Sequence, residues 1–206
     1  MSDVPIKLII EPDANQLAAW DKAAKGIVKP ADWNKALVRA LNDALAKAKT
    51  QSKREITAIY ATKQRQVADM MRPIKASESR LQARLVFSGF RLPLMKYFKV
   101  TPAAPPSQKG VPVSARTPAT ILVRKDTGAH VSKRGFVAKM ASGHIGLFER
   151  MPGMQTKSGK DKIKERSGSS VVTMADNENV AENTMRSANE VLARRLDHHM
   201  KQVAFK

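Results

Sequence analysis

An alanine- and leucine-rich stretch over residues 31–61 constrains the fold most strongly. Leu37, Leu41 and Leu45 recur every four residues, and a second row of small side chains runs beside them at Ala36, Ala40, Ala44 and Ala48. This spacing places the apolar side chains on one stripe of an α-helix. We therefore predict a helix of about 30 residues and about 45 Å, whose alanine row lets another backbone pack closely.

The rest of the chain predicts an α+β fold. Residues 80–87 alternate apolar and polar side chains, as a half-buried strand does, and further strands are expected at 113–124, 135–141 and 144–150. A second helical pattern covers 178–203. We expect one domain over 1–206, with a mixed or antiparallel sheet flanked by a long N-terminal helix and a C-terminal helix.

The remaining segments complete this division of the domain. Residues 1–28 are predicted to form an N-terminal extension of one strand and one helix. Residues 80–150 are predicted to form a strand-rich basic core. Two long extended loops are expected, a proline-rich one at 101–112 and a basic one at 151–168. The C-terminal helices are expected over 170–203.

Positive charge is concentrated in the middle of the chain. Residues 63–168 hold 22 Lys and Arg against six Asp and Glu, so they carry +16 of the net +19. Residues 1–62 carry +3 and residues 169–206 are neutral. Such a block favours a polyanion or an acidic protein surface as partner, the alternative being a solvated face that only promotes solubility.

The chain lacks the residue patterns of several enzyme classes. It has no cysteine, which excludes a disulfide framework, a thiolate zinc site and a cysteine nucleophile. The segment Gly153–Lys160 has five residues between its glycines, and Asp161 stands where a phosphate-binding loop needs Ser or Thr. Nucleotide hydrolysis is therefore not expected.

The histidines and paired carboxylates do not indicate a catalytic or metal site. His198 and His199 are adjacent, so on a helix they point about 100° apart and cannot hold one metal together. His130 and His144 have no neighbouring acid and serine at a spacing typical of a triad. Glu149 with Glu165 could be an acid–base pair, but two carboxylates among 18 are expected by chance. We predict no catalytic residue, no metal and no cofactor.

The candidate functional residues are basic. The first group lies in the expected basic loop and comprises Lys157, Lys160, Lys162, Lys164 and Arg166. The second group lies in or near expected strands and comprises Arg80, Arg84, Arg124 and Lys125. Aromatic residues are few in this block, so contacts to a nucleic-acid backbone are favoured over base stacking.

The stretch His144-Ile-Gly-Leu-Phe-Glu-Arg150, the loop with Ser158-Gly-Lys160, and Ile163-Lys-Glu-Arg-Ser-Gly168 resemble the minor tail protein Z family of lambda-like phages and prophages. The segment Arg195-Leu-Asp-His198 is similar to the family's C-terminal helix. The resemblance covers roughly residues 31–200, and the block 144–171 is its most specific part. The N-terminal residues 1–28 and the segment 101–112 have no counterpart.

The resemblance implies a structural virion protein that completes the head-proximal end of a long non-contractile tail. Its implied partners are the tail terminator or tail tube protein, head–tail connector proteins and phage genomic DNA, in a homo-oligomeric ring, with a hexamer as the expected size. It would be assembled in the host cytoplasm and located at the neck of the virion. No catalytic residues come with the family.

Two further expectations concern class and location. The alternative to a tail-completion protein is a sequence-nonspecific architectural protein that binds nucleic acid, whereas an enzyme is disfavoured. No apolar run approaches the roughly 20 residues of a membrane span, and the N-terminus lacks the pattern of a signal peptide. We therefore expect no membrane partner.

Overall fold

The computed structural model describes residues 4–26, 28–106 and 117–204. It confirms the α+β class. The elements, in chain order, are β1 Ile6–Ile10, α1 Ala14–Ala24, α2 Pro30–Ile59, α3 Gln64–Ala68, β2 Met71–Ile74, β3 Ala83–Phe87, α4 Leu94–Tyr97, β4 Lys99–Thr101, β5 Ala119–Leu122, β6 His130–Ser132, β7 Gly135–Lys139, β8 Ile145–Gln155, β9 Asp161–Glu165, α5 Val171–Ala175 and α6 Glu178–Ala204.

The long helices α2 and α6 pack against each other and form the central helical pair of the fold. They run antiparallel, because Ser52 meets Thr184 (Oγ to Oγ1, 3.3 Å) while Asp43, nearer the start of α2, meets Arg195 and His199 near the end of α6. The predicted alanine row lies at this core and is fully buried. Small side chains let the two backbones approach, as the sequence predicted.

Both ends of α2 follow from local chemistry. Pro30 occupies the first turn, where its missing N–H is not needed, and Asp32 complements the positive end of the helix. At the other end the Lys125 N–H donates to the Ile59 carbonyl at 2.7 Å, and the Lys125 ammonium donates to the Thr57 carbonyl at 2.5 Å. A cation on the last carbonyls stabilises a helix C-terminus.

The strands form three separate antiparallel sheets of three strands each, in the orders β1-β3-β2, β4-β5-β6 and β7-β8-β9. The expectation that strands 80–87, 113–124, 135–141 and 144–150 share one sheet is therefore wrong. The predicted strand at 113–124 is β5 over 119–122, and residues 113–116 lie outside the described part of the chain. Each sheet is completed by short strands that carry too few residues for a periodic signal.

The first sheet packs directly on the two long helices. Ala83, Leu85 and Phe87 of β3 are completely buried and α2 packs on them. β2 contains Pro73 and pairs with β3. It is an edge strand, where proline is tolerated because one side of the strand needs no hydrogen bonds.

The two segments expected as loops differ in outcome. Residues 151–168 are not a loop, because β8 runs to Gln155 and pairs with β9 at 161–165. Residues 102–106 contain no helix or strand, Thr101 ends β4, and 107–112 lie outside the described residues. Among the described helices, none has the length and apolar character needed to cross a membrane.

Candidate functional site

A β-hairpin carries four of the nine predicted basic residues away from the core. β8 and β9 pair from Phe148–Glu165 to Gln155–Asp161, with an irregularity after Met151. From residue 150 to residue 164, which we call the arm, no side chain is buried, whereas Leu147 and Phe148 at its root are. Both faces of the arm therefore meet solvent, and its backbone pairing rather than a core holds its shape.

The tip of the arm is a tight turn closed by Thr156 and Lys160. The Thr156 N–H donates to the Lys160 carbonyl at 2.7 Å, and the Thr156 hydroxyl donates to the same oxygen at 3.0 Å. Gly159 has a φ of +73°, a conformation that glycine adopts without steric cost. The turn points Lys157 and Lys160 to the outer end of the hairpin.

Charge on the arm is almost entirely positive. Lys162 and Lys164 share one face of β9, because side chains alternate along a strand, and Arg150 pairs with Ile163 on the other face. With the two tip lysines and Asp161 the arm carries five basic residues and one acidic residue, a net +4. Within the described residues none of its four lysines forms an ion pair, so all four charges are available to a partner.

The root of the arm is locked by a small cluster on the outer face of the third sheet. His144 Nε2 lies 3.0 Å from Glu165 Oε1, and the His144 ring meets the edge of Phe148. Phe136 packs on Phe148, and the Arg150 guanidinium lies over the Phe136 ring at 5.4 Å. These contacts keep Phe148 only 6% exposed, although it lies outside the main apolar cluster formed by the described residues.

Arg166 does not belong to the arm. Its Nη1 donates to the buried Ser132 hydroxyl at 2.8 Å, and its Nε lies 3.7 Å from Glu149 Oε2. Its backbone N–H donates to the Leu147 carbonyl and its carbonyl accepts from Leu94. The residue therefore connects β6 and β8 through its side chain, and β8 and α4 through its backbone.

The second group of predicted basic residues lies at two other places. Arg80 closes the β2–β3 turn and donates to the Lys75 carbonyl at 2.9 Å, and Arg84 donates to Gln82. Arg124 Nη2 lies 2.5 Å from Asp126 Oδ2. The neighbouring Lys125 contacts the C-terminal end of α2. Between β2 and β3, the Ala76 N–H donates to Asn42 of α2, whereas Lys125 donates to Thr57 of the same helix. Asn42 and Thr57 are 15 residues apart, so the two places are separated by about 22 Å along α2. The nine candidates are not one surface.

The Arg124–Asp126 pair also acts on Tyr60. Burial raises the Tyr60 pKa above its ordinary value, with Arg124 opposing and Asp126 reinforcing that shift. The hydrogen bond from Arg124 lowers the pKa of Asp126. The Arg124 guanidinium lies 5.8 Å from the Tyr60 ring centre, so these residues fasten the end of β5 to the end of α2.

Glu149, Glu165 and His144 each have a side-chain partner of opposite or complementary charge. Glu149 and Glu165 are neighbours in the β8–β9 register but face opposite sides of the sheet, and each has a cationic or histidine partner. His144 does have an acid beside it, contrary to the sequence reading, because Glu165 arrives from a strand 21 residues away. In the described part of the chain no three His, Asp or Glu side chains cluster as metal ligands would.

Comparison of the chain with models of protein families, with curated proteins and with solved structures gave no match. What the fold and the site define is a class: an α+β protein with an antiparallel helix pair, three small sheets and an exposed basic hairpin arm.

Proposed function

We propose that this chain is a structural virion protein that completes the head-proximal end of a long non-contractile phage tail, where its basic arm contacts the genome. The observation that carries the proposal is the arm itself, with a net +4, four lysines without ion pairs among the described residues, and no burial on either face. The sequence resemblance to tail-completion proteins supplies the biological setting.

The arm suits backbone contacts rather than base reading. Lysine ammonium groups are flexible point charges without the fixed fork that recognises one base edge. Six residues of β8, Arg150 to Gln155, extend about 20 Å at about 3.3 Å per residue. A two-stranded ribbon of this kind fits the roughly 12 Å major groove of duplex DNA. A genome that slides past the neck needs such sequence-independent affinity.

The neck position also requires assembly. A closed ring uses heterologous contacts between copies, and each of the three sheets ends in edge strands that can supply them. The proposed partners are further copies of this chain, with a hexamer as the expected ring, the tail terminator or tube protein, and head–tail connector proteins. The arms would then surround the passage of the genome.

Labelling of this chain in assembled particles tests the structural role. A tag joined to Lys206 should appear in negative-stain images as a single density at the head-proximal end of the tail. Tagged particles without density there, or with density along the whole tail or in the head, would contradict the proposal. Particles assembled with a tag on the major tail tube protein provide the control for label visibility.

A second candidate is a sequence-nonspecific architectural protein, because the arm alone provides a complete electrostatic contact with DNA. The two candidates differ in one binding partner. A tail-completion protein binds purified tails and joins them to heads, whereas an architectural protein binds duplex as a monomer and has no affinity for tails. If arm substitutions abolish tail joining but leave DNA binding unchanged, the arm binds an acidic protein ring instead of the genome.

A further inference from the structure

A cavity of about 320 Å³ lies between β5, β6 and the segment that follows β9. Three basic side chains line it, and each comes from a different part of the chain: Arg91 after β3, His130 at the start of β6, and Arg166 after β9. None of the described lining residues is acidic.

The donors in this cavity are partly unused. Arg91 makes no ion pair or side-chain hydrogen bond with the described residues. Arg166 directs Nη1 to Ser132 and Nε toward Glu149, and the described residues provide no partner for its Nη2. A guanidinium has five N–H donors, so both arginines retain capacity for a ligand.

The wall and floor fix the shape of the cavity. Gly168 packs so closely on α4 that a Cβ would lie 2.7 Å from Phe98 Cε2 and 3.0 Å from Leu94 Cδ2. This contact sets the path of the segment with Ser167 and Ser169, whose short hydroxyl side chains leave the space open. The lining also includes the buried Ile121.

We propose that this cavity binds a single phosphate-type oxyanion. Planar guanidinium groups bind phosphate oxygens through paired, charge-assisted hydrogen bonds, and the hydroxyls of Ser167 and Ser169 add neutral donors. The arm presents scattered lysines to an extended polyanion, whereas two arginines, a histidine and hydroxyl groups line this one cavity. The site goes beyond the proposed tail function and does not depend on it, since the anion can be a free phosphate compound or a phosphate of nucleic acid.

Calorimetric titration of the full chain with inorganic phosphate, at constant ionic strength in chloride, tests the site. We expect saturable binding, weakened about tenfold or more by Arg91→Gln, since a hydrogen bond to a charged group contributes about that much. Arg194→Gln removes an equally exposed arginine that does not line the cavity and should leave binding unchanged. His130→Gln, at the start of β6, is a second lining variant and should also weaken binding.

Two results would overturn the site: no saturable phosphate binding, or equal affinity in the Arg91→Gln and Arg194→Gln variants. Competition identifies the source of the phosphate. A short duplex that displaces phosphate from a variant lacking the four arm lysines indicates a nucleic-acid phosphate, whereas a duplex without effect indicates a free phosphate compound. Neither outcome depends on whether the chain joins tails, so failure here is distinguishable from failure of the tail proposal.

Discussion

His144 Nε2 lies 3.0 Å from Glu165 Oε1, and this contact joins the residue before β8 to the last residue of β9. The two side chains meet because Gly146 lies between them on the same face and has no side chain. A Cβ on Gly146 would lie 2.8 Å from Glu165 Oε1 and 2.8 Å from Phe148 Cζ. The root of the arm is thus built around one glycine.

Gly146→Ala should therefore destabilise the protein. Glu165 can move aside, but the buried Phe148 ring must shift, and overpacking of this kind costs about 1–3 kcal/mol of unfolding free energy. Urea denaturation followed by circular dichroism measures the change. Ser142→Ala, in the exposed turn before β8, is the control. A Gly146→Ala protein as stable as its parent would show that the cluster does not hold the root of the arm.

Substitution of Ala44 tests the close approach of α2 and α6. Ala44 is completely buried on the alanine row, so Ala44→Leu inserts three carbon atoms where the helices pack. We expect a loss of about 1–3 kcal/mol in unfolding free energy. Ala46→Leu, at an exposed position of the same helix, should change stability by less than about 0.5 kcal/mol. Equal effects at both positions would contradict the packing described.

This helix pair is the part of the fold that the sequence predicts best. Residues 31–61 and 178–203 carry the period of an amphipathic helix, and the structure has α2 at Pro30–Ile59 and α6 at Glu178–Ala204. β3 was also predictable, because its alternate side chains face α2. In each case the periodic signal arises from burial on one face.

The arm could not be predicted in the same way. Its strands contain Pro152, Gly153 and several lysines and face solvent on both sides, so burial imposes no alternation on them. Only the pairing with β8 makes residues 161–165 a strand. The His144–Glu165 contact was missed for a related reason, since it depends on register between residues 21 positions apart.

Arg166→Gln tests whether Arg166 stabilises the fold, in contrast to the exposed lysines of the arm. The substitution removes a hydrogen bond to the buried Ser132 and the contact with Glu149, and we expect a loss of about 1 kcal/mol because the side chain is partly exposed. Lys162→Gln removes the same charge four residues earlier, where no described residue pairs with it, and should leave thermal unfolding unchanged. If both variants unfold like the parent, the Arg166 side chain does not connect β6 to β8.

The pH dependence of stability should include Tyr60. Because burial raises its pKa in the folded state, the folded protein keeps the phenol protonated after the unfolded chain has ionised. Its contribution is complete below the ordinary tyrosine pKa of about 10 and is lost as the pH rises through the folded value. Phenolate absorbance of a Tyr97→Phe protein, which retains Tyr60 as its one tyrosine, should titrate above that ordinary value. Titration at or below the ordinary value would contradict the account.

The salt dependence of duplex binding tests the central claim most directly. Replacing Lys157, Lys160, Lys162 and Lys164 with Gln should leave folding intact, since exposed charges contribute little to stability. Fluorescence anisotropy of a labelled duplex gives log affinity against log salt, and each lost phosphate contact should flatten its slope by about 0.9, up to about 3.6 for four. Gln substitutions at Lys7, Lys22, Lys25 and Lys29, which are equally exposed, remove the same charge elsewhere and should alter the slope little. An unchanged slope in the arm variant, or equal flattening in both variants, would contradict a role for the arm as the DNA contact.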